Sequence, residues 1–556
     1  MTLDPIDYAV ISQSLQAAAR EMGVKLIRSA YSTILREARD GSAALLDRNG
    51  DVIAQAELIP MQLGPIGATI KPCLELHPVE TLQEGDFFIN NDPFAGGQHL
   101  QDVFIFTPIW VAGEVVGFSA SVAHHLDVGG GSAGLTAEAT DVIAEGLRIP
   151  PSCWNMDRDW NGGRLERLVA HNIRVPDQTI GDFNAQFAAN AMGAARVRQL
   201  CEKYGVPALM ETMRELQDYS ERRVRAAIAK VPDGVYVGEA VLDDDGIGEE
   251  AIPIRATLTI AGESVAIDFA GSAPQVGRNI NCPFSSTVSA ALSAVKSVLT
   301  SADIPFNEGL KRPITVTAPY GSIVNPKPPA PVRARMLSAY RAYDAVMKAL
   351  AQAVPELVPA LGFNTTTVTC LAHLGENGYA VHLEPMGGGF GGSRGVDGCD
   401  GVDNGLSNCA NTPVEALDAG YRFFRIHSYE LAPDSFGQGA HRGGAGFYRR
   451  YEILADKVTF SMYSDHFRHP AEGFAGGSPG VLGHARILRG KEVIPIASKS
   501  ATAVRKGDIV EVLLGGGGGY GRPELRNPVD VDRDVADGLL LPATAGRWYP
   551  RREAAE

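Results

Sequence analysis

The spacing of apolar residues changes along this chain, and that change constrains the fold more than any single motif. From Pro5 to about Arg39 the residues Ile6, Val10, Ile11, Leu15, Ala18, Met22, Leu26, Ile27, Ala30 and Ile34 recur mostly at three- and four-residue steps. This predicts one long amphipathic helix with a break near Gly23. Next, SAALLDRNGDVIAQ places two apolar strands around Asn49-Gly50, a hairpin signal, and strand-like runs follow at DFFI, DVFIFTPIWV and EVVGFSASVA. Helical spacing returns from about Thr179 to Lys230, with a turn at Gly205-Val206-Pro207. Alternating strands run from Gly234 to Phe269, and helices are expected over Thr287 to Thr300 and Arg335 to Val354. Beyond about Thr365 the pattern is strands and glycine turns.

These periods predict a multidomain α+β protein: mixed sheets, a long N-terminal helix and a strand- and glycine-rich C-terminal region. At 556 residues the chain exceeds the size at which one hydrophobic core stops growing. The expected boundaries give an N-terminal α+β domain over 1–235, a middle α+β domain over 236–360 and a mainly β domain over 361–556.

The formal net charge of -15 and the lack of a lysine or arginine stripe argue against a nucleic-acid partner. Seven cysteines without CxxC spacing fit a reducing cytoplasm. The N-terminus MTLDPIDYAV lacks the basic and apolar regions of a signal peptide, and no uncharged apolar run approaches the roughly 18 residues that span a bilayer. The expectation is a soluble cytoplasmic protein.

The chemistry concentrates in two segments. NDPFAGGQHLQDVFIF holds His99 and Asp102, and SASVAHHLDVGGG holds His124, His125 and Asp127. An imidazole and a carboxylate three positions apart converge on one ion only where the backbone curls, which Gly96 and Gly97 permit. At the end of an apolar strand, successive side chains face opposite ways, so His124 and His125 cannot both reach one ion without a bulge. His124 is the chosen ligand, with His125 or Asp127 as the partner that orients an imidazole through its other ring nitrogen. Asp40, in REARDGS, is a fourth candidate, although a carboxylate before glycine at a helix end also reads as a turn residue. The bland alternative for His99, Asp102 and His124 is two solvated histidines and a turn aspartate. Two imidazoles with carboxylates suit zinc, manganese or iron.

The glycine runs GGGFGGSRGVDG from Gly387 and GGGGGYG from Gly515 lack the strand, GxxxxGK[ST] and helix order of a P-loop, so they read as structural turns or subunit-contact loops.

The strings NDPFAGGQHLQD, AHHLDVGG, EGLRIPP, DFAGSAPQVGRNIN, SDHFRHPAEGFAGGSPG and GGGGGYGRP, in this order from about residue 5 to 540, resemble the hydantoinase B family, which includes the corresponding part of oxoprolinase. The resemblance implies a metal-carrying subunit of a two-component ATP-dependent cyclic-amide hydrolase, with Asp40, His99, Asp102 and His124 as ligands of a divalent ion. It also implies that ATP and Mg are used by a separate hydantoinase A-like partner with an actin-like ATPase fold, in a hetero-oligomer such as a heterotetramer. The chain begins at the B-type helix, so that partner is expected on another polypeptide. Phosphorylation of the amide oxygen by the partner would make the ring carbon electrophilic, and the metal in this chain would then assist attack by water. His125 or Asp127 is the expected catalytic proton acceptor. The same ligands would serve a subunit of an ATP-dependent ketone carboxylase, of the acetone or acetophenone type, and a non-catalytic scaffold regulating an ATPase predicts an empty metal site.

Overall fold

The structure, a computed structural model, describes residues 4–56, 58–135, 138–376, 378–403 and 405–550. Contacts divide the chain into two compact units, Met1–Glu239 with Ile254–Ala349, and Ala240–Pro253 with Leu350–Glu556. The stretch 236–360 is thus shared between them. Helices and mixed sheets coexist in the α+β arrangement that the periodicities imply.

The first unit is organised by a six-stranded sheet. Its strands are β1 (Gly41–Asp47), β2 (Val52–Gln55), β3 (Asp86–Asn90), β4 (Asp102–Val111), β5 (Glu114–His124) and β6 (Ser152–Asn155), in the order β2-β1-β5-β4-β3-β6. Alternation decides which side chains face which layer. Ala43 and Leu45 of β1 pack with Leu15, Met22 and Leu26 of the helix Pro5–Ser29 and with Ala185 and Ala189 of the helix Pro176–Tyr204. Ala44 and Leu46 point the other way, joining Phe104 and Phe106 of β4, Phe118, Ala120 and Val122 of β5, and Ile66 and Ile70 of the helix Pro65–Leu76. Both faces are therefore covered, and β1 is buried along almost its whole length. A second sheet comprises β7 (Gly234–Leu242), β8 (Ile252–Ala261), β9 (Ser264–Asp268) and β10 (Ile314–Thr317), in the order β10-β9-β8-β7.

The N-terminal helix corrects one expectation. It runs unbroken through Gly23, where a Cβ would lie 2.7 Å from Ala56 Cβ, so glycine serves close packing and not a break. The helix instead stops at Ser29, because the amides of Tyr31 and Ser32 donate to Asp182 Oδ1 at 2.7 and 3.1 Å. The Gly205 turn holds: its φ of 85° separates the helices Pro176–Tyr204 and Val206–Ile228.

The second unit stacks two sheets on one apolar core. β11 (Thr367–Gly375), β12 (Gly378–Met386), β15 (Val458–Tyr463) and β18 (Lys499–Val504) form one, in the order β12-β11-β15-β18. β13 (Phe424–Leu431), β14 (Phe447–Ile453), β16 (His484–Arg489), β17 (Glu492–Ile496) and β19 (Ile509–Leu514) form the other, in the order β13-β14-β19-β16-β17. Leu371, Phe460 and Met462 from the first meet Tyr451, Val510 and Val512 from the second.

The run from Gly515 is neither a turn nor a surface loop, whereas the run from Gly387 does make an exposed turn, at Arg394-Gly395, where Gly395 has a φ of 89°. Residues 515–519 are buried and none has a left-handed φ. The amides of Gly516, Gly517, Gly518 and Gly519 donate to Ser435 O, Gly444 O, Leu361 O and Ser478 O at 2.8–3.1 Å, while Gly389 N donates to Gly515 O at 3.0 Å. A Cβ at Gly517 would lie 2.0 Å from Phe390 O, and one at Gly389 1.8 Å from Gly444 O. Glycine is required here so that chains can touch backbone to backbone. Because those four amides are spent inside the stack, the run offers none of them to a phosphate.

Candidate metal centre

Three antiparallel strands of the first sheet bring the candidate residues into a row. β5 ends on His124, and β4 begins on Asp102, its partner in the ladder. On the other side of β5, the amide of His124 donates to Asp40 O at 3.0 Å, one residue before β1. Strand alternation places Asp102 in phase with Phe104 and Phe106, His124 with Ala120 and Val122, and Asp40 with Ala44 and Leu46. All three therefore belong to the same face of the sheet. His99 joins them through a turn in which Asp102 N donates to His99 O at 3.2 Å. The loop before it is tightly wound: Gly97 N donates to Asp92 O at 2.9 Å, and a Cβ on Gly96 would lie 2.5 Å from Ala68 O.

The buried polar atoms at this corner are incompletely paired. His99 Nδ1 lies 3.0 Å from Arg333 O, and since a carbonyl only accepts, Nδ1 carries the hydrogen and Nε2 presents its lone pair. That Nε2 is 3.3 Å from Asp102 Oδ1, yet neither atom forms an aligned hydrogen bond, and His124 Nδ1 is likewise buried without a partner. The two imidazole centroids are 5.1 Å apart. Asp102 Oδ2 takes a charge-assisted bond from Arg335 at 2.5 Å. Asp40 is half-buried, and its Oδ1 accepts from Gln62 Nε2 at 2.8 Å.

Electrostatics sets the protonation states. Burial, reinforced by the Arg335 charge, lowers His99. Burial and the neighbouring His99 lower His124 well below the usual histidine value. Burial alone would raise Asp102, but positive charge beside it, from His99 where that ring is protonated and from Arg335 always, outweighs burial and holds the carboxyl below its ordinary range. Two neutral imidazoles and an ionised carboxylate are the states in which these groups bind metals. Unpaired nitrogen and oxygen atoms buried together fit a divalent cation, because burying them unpaired otherwise costs about 1–3 kcal/mol per group. The cluster is open as it stands: among the described residues no three His, Cys, Asp or Glu side chains close around one point.

The remaining candidates lie elsewhere. His125 is one residue out of phase and belongs to the opposite face, where its ring stacks on Phe183 at 4.1 Å and Nε2 meets Gln186 Oε1 at 3.0 Å. Asp127 accepts the amides of Gly129 and Arg174 and lies 3.4 Å from the Arg174 guanidinium, an arrangement that ties down the loop after β5. Sequence reasoning missed Arg335, Gln62 and the carbonyl of Arg333. The pair of arginines in PVRARM, directly after a proline-rich stretch, was the signal available for the first and third.

An α+β chain with an imidazole and carboxylate corner at the end of a doubly covered sheet is the class that this fold and site define. The sequence profile described as hydantoinase B/oxoprolinase matches residues 4–523, and the chain belongs to that family. A putative D-/L-hydantoinase subunit of Pseudomonas sp. strain NS671 is 36% identical over 97% of this chain and 93% of its own length. The crystal structure of the ATP-dependent caprolactamase from Pseudomonas jessenii superposes with a TM-score of 0.91 at 29% identity, covering 100% of this chain and 97% of that one. A nucleotide-free acetone carboxylase structure gives a TM-score of 0.89 over 99% of this chain and 80% of its own, at 19% identity, a likeness of fold alone. No helix among the described residues is long and apolar enough to cross a membrane.

Proposed function

We propose that this chain is the metal-carrying subunit of a two-component ATP-dependent cyclic-amide hydrolase, acting on a substrate phosphorylated by a hydantoinase A-like ATPase. The observation that carries the reading is the trio of buried, unpaired atoms, His99 Nε2, Asp102 Oδ1 and His124 Nδ1, in a chain related to a hydantoinase subunit and a caprolactamase. The relative from Pseudomonas sp. strain NS671 is itself one subunit of its enzyme, which supports a partner chain here.

Those three residues, with Asp40 beside His124, would hold zinc, manganese or iron. Such an ion supplies Lewis acidity, so that an oxygen nucleophile is available at neutral pH. The rest of the chemistry belongs to the chain. His99 is kept in one tautomer by Arg333 O, Asp102 is kept ionised and oriented by Arg335, and burial keeps both imidazoles unprotonated. His125 and Asp127 receive no proton-transfer role in this scheme, because their partners lie on the helix Pro176–Tyr204 and at Arg174. Nucleotide chemistry is assigned to the partner, in keeping with the spent amides of the 516–519 run.

The test is reconstitution with the hydantoinase A-like partner and ATP, offering lactams, hydantoins, oxoproline and, with bicarbonate, ketones. Ring opening that is lost in His124→Ala, with some substrate-dependent ADP release retained, is the expected result. Carboxylation of a ketone without ring opening would replace this reading with a ketone carboxylase. Ring opening at the normal rate in metal-free His124→Ala would remove the metal from the mechanism.

A further inference from the structure

The segment 332–335 reaches the corner twice, through a carbonyl and through a guanidinium. Arg333 O accepts the hydrogen of His99 Nδ1, and Arg335 holds Asp102 Oδ2. Glu145, at the end of the short turn Val142–Glu145, is what holds this segment in turn. Its side chain is fully buried, and Oε1 accepts the amides of Val332 and Arg333 at 2.8 and 2.9 Å. The same turn is tied to the segment again by Val142 N donating to Pro329 O at 2.9 Å. It is tied to the residue before Asp102 by Gln101 Nε2 and Glu145 O at 3.4 Å. Val142, Val332, Leu100 and Val128 close the space between them as one apolar cluster.

We infer that Glu145 is a positioning residue for the metal centre. By accepting two successive amides it fixes the carbonyl that selects the His99 tautomer, and it places Arg335 so that one Asp102 oxygen is occupied and the other left open. The inference rests on the metal reading above. Glu145 touches neither candidate ligand, so its influence passes entirely through the 332–335 backbone. Burial raises its pKa to about 8, so at neutral pH the group is a neutral acid whose Oε1 acts as a carbonyl-type acceptor. Glutamine presents the same acceptor in the same place, whereas alanine leaves two buried amides unpaired.

The experiment titrates the full-length chain with Co²⁺ alone, reading affinity by calorimetry and ligand geometry by the visible spectrum, with melting temperature recorded alongside. Glu145→Gln is expected to keep the wild-type affinity and spectrum. Glu145→Ala is expected to lose about 10- to 100-fold in affinity, the range seen when groups that orient metal ligands are removed, and to change the spectrum. Where Glu145→Ala does not fold, Glu145→Asp carries the same test, since a side chain one methylene shorter cannot reach both amides. A lowered melting temperature with wild-type affinity and spectrum would make Glu145 merely structural and overturn the inference, as would a Glu145→Gln loss as large as that of Glu145→Ala. His99→Ala is titrated in parallel to separate the two readings. If it binds cobalt like the wild type, the metal centre itself fails and the inference with it. If it loses cobalt while Glu145→Ala does not, only the inference fails.

Discussion

Two regions of this molecule treat buried polar atoms in opposite ways. In the glycine stack of the second unit, the amides of 516–519 are all hydrogen-bonded and no room remains for a side chain. At the corner of the first sheet, two imidazole nitrogens and a carboxylate oxygen are buried without an aligned hydrogen bond. Both regions are marked in the sequence by glycines, and local sequence rules make each a set of turns. The difference lies in what the glycines permit. At Gly96 and Gly97 they let a loop curl so that side chains converge, while at Gly515 to Gly519 they let backbones touch. Complete pairing suits a part that only has to be stable, whereas three unpaired ligand-type atoms gathered at one corner call for an explanation, and a bound ion is one.

The sharpest way to break this comparison is to put one methyl group into the stack. Gly517→Ala places a Cβ 2.0 Å from Phe390 O, against the backbone of Phe390 and Gly391, with no flexible side chain to yield. The expected loss exceeds about 4 kcal/mol, in the range reserved for severe core overpacking. Urea unfolding, or the yield of soluble chain, reads it. A wild-type midpoint would mean that the stack is loose and its amides available.

Breaking the buried ion pair is the next largest effect. Asp102→Ala leaves Arg335 charged and buried, and a loss of about 3–5 kcal/mol is expected. Asp102→Asn keeps an acceptor for the guanidinium and should lose less stability while still losing metal on elemental analysis. Equal unfolding midpoints for Asp102→Ala and the wild type would show that Arg335 finds another partner there.

A third measurement uses pH. The Glu145 carboxyl has a usual value of 4.5, raised by burial to about 8 in the folded chain. Between these values the unfolded chain releases the proton and the folded one keeps it. The folded state therefore binds more protons, and its stability falls as pH rises from about 4.5 to about 8. Glu145→Gln has no proton to lose, so its stability relative to the wild type should grow across that window, by on the order of a few kcal/mol. Denaturation curves at intervals from pH 5 to pH 9 test this, and a constant difference would mean that Glu145 ionises freely.

The smallest expected effect sharpens the contrast between the adjacent histidines. His125→Phe keeps the stack on Phe183 and forfeits the bond to Gln186, so a cost of about 1 kcal/mol is expected, with metal content unchanged. Loss of metal in His125→Phe would bring His125 back into the site.

Much of the site was legible because it obeys local rules. The three-residue spacing of His99 and Asp102 called for a turn. Strand alternation separated His124 from His125, a distinction the structure describes in the same terms. Element types were equally legible where the period was long, as in the helices on either side of Gly205. Mistakes came where a distant partner decided the outcome. The break in the N-terminal helix is made by Asp182, 151 residues from Tyr31, and not by the glycine in its own sequence.

The sequence by itself determined the class of the fold, the family and the opposite facing of His124 and His125, because side-chain alternation and helical spacing are properties of neighbouring residues. Only the tertiary structure decided what surrounds the candidate ligands. Arg335 meets Asp102 across 233 residues, and Glu145 meets Val332 across 187. No spacing rule connects residues so far apart. Their pairing is set by which segments the cores bring together, and burial then turns those pairings into the charges and tautomers that a metal site needs.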